Sequence, residues 1–100
     1  MTVRRFVGRS EMKQLKKTGV AFDPARGSGI PTTTRNFEPG NQDEARQRTG
    51  APRADYQVDL DVTGLPQGPE KKTKSGLPEY TIQGDLSPDR VIEIKKVPKK

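Results

Sequence analysis

Glu79 lies in the stretch Gly76-Leu77-Pro78-Glu79-Tyr80-Thr81-Ile82-Gln83-Gly84, whose residue types read as a short strand. Strand side chains alternate, so Tyr80 and Ile82 share one face and Glu79, Thr81 and Gln83 share the other. A lone carboxylate on the polar face of a late strand, after a Gly/Lys loop, suits the cleavage of a sugar bond, where positive charge builds on the ring. The chain has no histidine and no cysteine. That removes disulfides, thiolate metal sites, most zinc chemistry and the usual general base. A carboxylate-only metal site stays open. Asp55, Asp59 and Asp61 alternate along another strand, and a solvated sheet face accounts for them better than a metal site. Arg26-Gly27-Ser28-Gly29 can cradle a phosphate through backbone N–H groups. Lys71, Lys72 and Lys74 form a charged loop, either solvated or docking a nucleic acid or other substrate.

These groups need a fold to carry them, and 100 residues suffice for one domain with a modest core. Hydrophobic residues are 28% and charged residues 32%, a balance that leans toward disorder. The apolar residues are nevertheless grouped in patterned segments, so we expect an ordered domain with long polar loops. A net charge of +6 favours nucleic acids, phosphorylated ligands or an acidic partner, or simply solubility. The apolar runs are too short to span a bilayer, so no membrane insertion is expected.

Residues 2–7 read as a first strand. Ser10 is placed to cap a helix over 11–17, with Glu11 near its start, Lys16 and Lys17 near its end, and Gly19 just past it. Residues 30–34 read as a second strand, and Pro31 argues for an edge or a bulge there. Asn41 and Glu44 resemble a capping box that opens a surface helix to Arg48. The strand at 55–62 is the clearest, with Tyr56, Val58, Leu60 and Val62 on one face. A loop at 63–76, a strand at 77–83, a turn at 84–89 and a last strand at 90–97 follow. The expected fold is α+β: a small, mostly antiparallel twisted sheet with one or two short helices. Residues 1–97 form the single domain and 98–100 a basic tail.

Four pieces in this order carry a resemblance to a family. They are Val3-Arg4-Arg5-Phe6-Val7 with its following helix, Ile30-Pro31-Thr32-Thr33-Thr34, the strand Tyr56-Gln57-Val58-Asp59-Leu60-Asp61-Val62 closing on Thr63-Gly64, and Gly76-Leu77-Pro78-Glu79-Tyr80 with the last strand Arg90-Val91-Ile92-Glu93-Ile94. The chain resembles the C-terminal toxin domains of bacterial polymorphic toxins that have an ADP-ribosyltransferase-like fold, and is similar to those modifying elongation factor Tu. The resemblance implies NAD as cofactor and an Arg, a Ser or Thr and a Glu on three strands. By position these are Arg5, Thr33 or Thr32, and Glu79. Arg5 and the threonines would bind the cofactor, and Glu79 would be catalytic. Arg4 is the rival to Arg5, because a one-residue register slip swaps their faces. The resemblance further implies a domain secreted or delivered within a larger effector, acting on a target protein in the cytoplasm of a recipient cell and neutralised by a cognate immunity protein. Relatives often carry Gln or Glu two residues before the catalytic Glu. Leu77 stands there instead, which leaves the acceptor open and permits plain NAD hydrolysis.

Two other function classes fit the same residues. A basic ribonuclease toxin would use Arg4, Lys71, Lys72, Glu79 and Tyr80, and RNA affinity would account for the charge. A non-enzymatic module binding an acidic partner needs no motif at all.

Overall fold

A computed structural model describes residues 1–27 and 29–99. Alternating segments rich in Val, Ile and Thr form most of the strands. They are β1 (Thr2–Val7), β2 (Ile30–Thr34), β3 (Tyr56–Asp61), β4 (Lys71–Lys72), β5 (Pro78–Ile82) and β6 (Val91–Lys96). Two helices of at least two turns, α1 (Arg9–Lys17) and α2 (Gln42–Thr49), lie between the first three strands. Among the described residues the strands make one six-stranded sheet in the order β4-β5-β2-β1-β3-β6, and every neighbouring pair is antiparallel. The α+β expectation holds, and β4 is an addition: it pairs with β5 inside the segment expected to be loop. No helix among the described residues is long and apolar enough to cross a membrane.

Both faces of the sheet are covered. On one, α1 packs Leu15 against Val3, Val58, Leu60 and Ile82. On the other, Phe6, Phe37, Ala45, Leu77 and Val97 form a second core. Phe6 and Phe37 meet edge to face at 5.7 Å, and the Arg48 guanidinium sits 5.2 Å above Phe37. α2 therefore is not a helix apart from the core. Its single apolar residue, Ala45, is fully buried.

The second core corrects the expected acidic stripe. Asp59 is 2% exposed and Arg4 is 3% exposed. Arg4 and Asp59 face each other across β1 and β3. Arg4 donates through Nε to Oδ1 at 2.7 Å and through Nη2 to Oδ2 at 3.0 Å. It also donates through Nη1 to the Phe37 carbonyl at 2.7 Å. The hydrogen bond to Asp59 is the main reason its pKa is raised above the ordinary value. A charge can be buried where a partner and hydrogen bonds replace water, and here both are present.

Helix ends follow local chemistry. Asn41 Oδ1 accepts from the Glu44 N–H at 2.8 Å, as the capping pattern predicts. Glu44 reaches back to the N–H of Gly40 at 2.5 Å. α1 begins earlier than expected. Gly8 is its N-cap, no side chain caps it, and Ser10 lies inside the first turn. At the other end Gly19 has φ +83, and a Cβ there would lie 2.2 Å from the Leu86 carbonyl oxygen. That close approach lets Val20 and Leu86 exchange two backbone hydrogen bonds at 2.9 and 2.8 Å. The basic tail starts attached, because the Gln42 N–H donates to the Pro98 carbonyl at 2.7 Å.

Candidate active site

β1 pairs with β3 over six residue couples but with β2 over two, Val3 opposite Thr34 and Arg4 opposite Thr33. Beyond Arg4 the two strands part. β1 continues along β3, and β2 continues along β5. The gap explains how Pro31 is tolerated in a strand with neighbours on both sides. At Pro31, β2 is paired with β5 alone, so the missing N–H removes no bond to β1. The Pro31 carbonyl faces the gap and accepts from Arg5 Nη1 at 2.7 Å.

The parted strands open a cleft of about 590 Å³. Its walls include the end of β1, the first turn of α1, the loop 49–53, Thr73 and the middle of β2 and β5. Arg5, Thr32, Thr33 and Glu79 all line it, although they come from three strands and are up to 74 positions apart (79 − 5). Its volume falls in the range of about 300–1,000 Å³ usual for small-molecule sites. A smaller cavity of about 290 Å³, lined in part by Val20, Phe22 and Ile30, adjoins Arg5 from the other side.

Glu79 is half-buried, and among the described residues its carboxylate has no hydrogen-bond or ion-pair partner. Lys71 stands opposite it in the β4–β5 ladder, and among the described residues the two form no ion pair. The threonines do not touch that carboxylate. Thr33 Oγ1 donates to the Pro78 carbonyl and Thr32 Oγ1 to the Tyr80 carbonyl, each at 2.7 Å. Those carbonyls belong to the residues on either side of Glu79, so the two hydroxyls pin β5 at the point where the acid projects.

Arg5 is held firmly. Its Nε and Nη2 donate to the two oxygens of Glu11 at 2.6 and 3.3 Å, besides the bond to Pro31. Glu11 was expected only to favour the start of a helix; here it neutralises the cleft arginine. Arg4, the rival, is buried with Asp59 and Phe37, yet it also borders the cleft. Through its pairing with Thr33, which pairs in turn with Glu79, it shares their face of the sheet, and Arg5 lies on the opposite face. Leu77 is 8% exposed in the second core, so the position two residues before Glu79 presents no side chain to the cleft.

Two cleft residues went unnoticed in the sequence. Arg9 and Arg53 are exposed, line the cleft, and make no ion pair among the described residues. A Cβ at Gly8 would lie 2.6 Å from Arg53 Cδ, so the missing side chain is what lets the Arg53 stem lie across the start of α1. Arg9 had a legible signal, an arginine at the turn between a strand and a helix. Arg53 had none, since it sits in an unpatterned loop. The Arg26 side chain and Ser28, members of the proposed phosphate cradle, lie outside the described residues. No group of three or more acidic residues able to hold a metal comes together among the described residues. No protein-family model, no curated protein and no solved structure matches this chain significantly.

Proposed function

We propose that this chain is an NAD-dependent ADP-ribosyltransferase-like toxin domain that breaks the bond between nicotinamide and ribose in the cleft between β1 and β2. The observation that supports it most is the convergence of Arg5, Thr32, Thr33 and Glu79 on one cleft, with the Glu79 carboxylate free of any partner among the described residues. The chemistry fits a site of this composition. The nicotinamide nitrogen already carries a formal positive charge, so the base leaves neutral, taking the bonding electron pair, and needs no general acid. Positive charge then builds on ribose C1′ and its ring oxygen, and a nearby carboxylate stabilises it. Glu79 fills that role. Thr32 and Thr33 act on the reaction through the β5 backbone by fixing where Glu79 projects. Arg5, held by Glu11, forms the wall shared by the two cavities. An acceptor nucleophile then bonds to C1′ and releases its proton to Glu79 or solvent. With water as the acceptor the same site is an NAD glycohydrolase. The resemblance given above makes the acceptor a protein of a recipient cell and the natural antagonist an immunity protein.

Nicotinamide release from NAD in a bacterial lysate tests this directly. The wild-type chain should release nicotinamide and label an acceptor, and Glu79→Gln should reduce release at least about 100-fold, as for loss of one strong electrostatic group. Equal release by the two proteins would refute the role of Glu79. RNA loss without nicotinamide release would favour the ribonuclease alternative.

A further inference from the structure

We propose that Arg9 and Arg53, rather than Arg5, hold the diphosphate of the nucleotide that enters the main cleft; the identity of that nucleotide rests on the transferase reading. A guanidinium binds phosphate well when its fork of N–H donors is free. That of Arg5 is not. Three of its N–H groups go to the Glu11 carboxylate and the Pro31 carbonyl, and its charge is matched by Glu11 at 2.6 Å. An anion arriving at Arg5 must displace a chelating carboxylate or sit beside it.

Arg9 and Arg53 offer the opposite situation. Both line the cleft, both are exposed, and among the described residues neither meets a carboxylate. They are brought to the same place by the chain. Arg9 is the first residue of α1, and the Arg53 stem crosses Gly8, the residue before it. Two cations without an ion-pair partner among the described residues thus gather at one wall, where Glu11, in the same turn as Arg9, is already bound to Arg5. The first turn of α1 adds partial positive charge, since Gly8 caps it with no side chain. Like charges so gathered repel until an anion joins them. Two forked donors match the several oxygens of a diphosphate better than those of a single phosphate. Glu79 lines the same cleft from β5, so a nucleotide anchored at its diphosphate by Arg9 and Arg53 can extend its sugar toward the carboxylate.

Binding of ADP, AMP and adenosine to the intact chain, measured by calorimetry, tests the site. ADP should bind more tightly than AMP, and adenosine weakest. Arg9→Ala and Arg53→Ala should each weaken ADP about tenfold, the size of one lost charge-assisted contact. Arg53→Lys should fall between. Gly8→Ala should weaken ADP as well, by displacing the Arg53 stem. All of these positions are compared only in proteins with the native circular-dichroism spectrum. Equal affinity for ADP and AMP, or wild-type ADP affinity in the folded double variant, overturns the assignment. NAD turnover by wild type and Glu79→Gln is followed in parallel. Glu79-dependent turnover with ADP affinity insensitive to Arg9 and Arg53 removes this site and leaves the transferase reading. ADP affinity that depends on both arginines, with turnover that ignores Glu79, removes the transferase reading and leaves the site.

Discussion

Thr32 and Thr33 reach Glu79 through its neighbours' carbonyls, and that indirect contact has a testable signature. Each hydroxyl gives its one proton to a β5 carbonyl at 2.7 Å. Thr33→Ser keeps that bond and should keep activity. Thr33→Val removes it at nearly constant shape and should lower kcat for nicotinamide release about tenfold while changing KM little, since the substrate itself is not touched. A loss confined to KM would instead make Thr33 a binding residue. The buried Arg4–Asp59 pair behaves differently. Asp59→Ala leaves a guanidinium in the second core with its main partner gone and should cost about 3–5 kcal/mol in chemical denaturation. Combining it with Arg4→Met should recover most of that loss, because an apolar side chain no longer needs a counter-charge. If the double variant stays as unstable as the single, the pair's packing rather than its charge is what matters.

Elements were legible where one segment contained its own instructions. Tyr56, Val58, Leu60 and Val62 gave β3 by alternation, Asn41 and Glu44 gave the start of α2, and Gly19 marked the end of α1. What could not be read depended on another part of the chain. Asp59 and Gln57 look like a wet face within their own strand, and it takes Arg4, 55 positions away, with Arg35 beside it, to make burial of Asp59 possible. β4 is two lysines that become a strand because β5 lies beside them. Pro31 argues locally for an edge, and the place where β1 leaves β2 is an edge of a kind. Residue types alone pointed to Arg5, Thr32, Thr33 and Glu79, and the fold brings those four to one cleft. The pairing of Arg5 with Glu11 was not legible, since it joins a strand to a helix, and Arg53, unpaired among the described residues, sits in a loop with no periodic pattern. Two glycines separate conformation from contact at the element scale. Gly19 and Gly64 share φ +83, but only Gly19 has backbone against its open side. Gly64→Ala should cost about 1–2 kcal/mol for the left-handed backbone alone. Gly19→Ala should cost clearly more, because the Leu86 carbonyl must also move. Equal melting temperatures for the two variants would show that the turn at Leu86 yields freely.

At the scale of the molecule, the sheet is two half-sheets, β4-β5-β2 and β1-β3-β6, sharing two residue couples of strand pairing. That seam is the weakest part of the ladder, and native-state hydrogen exchange should find it. Amides of β2 and β5 are expected to exchange at lower denaturant than those shared by β1 and β3, whose pairing runs over six couples. Simultaneous exchange of both sets would mean that the two cores lock the halves into one cooperative unit. The same division has a consequence for how the chain is made. One half-sheet needs the first, third and sixth strands, and the other needs the second, fourth and fifth. Neither half can be completed by an early stretch of a chain leaving the ribosome. The cleft is finished only after β5 has emerged, and the sheet only after β6 has. Nearly all of residues 1–96 must therefore be synthesised before the cleft has all its walls, so a partly made domain has no complete binding site to offer.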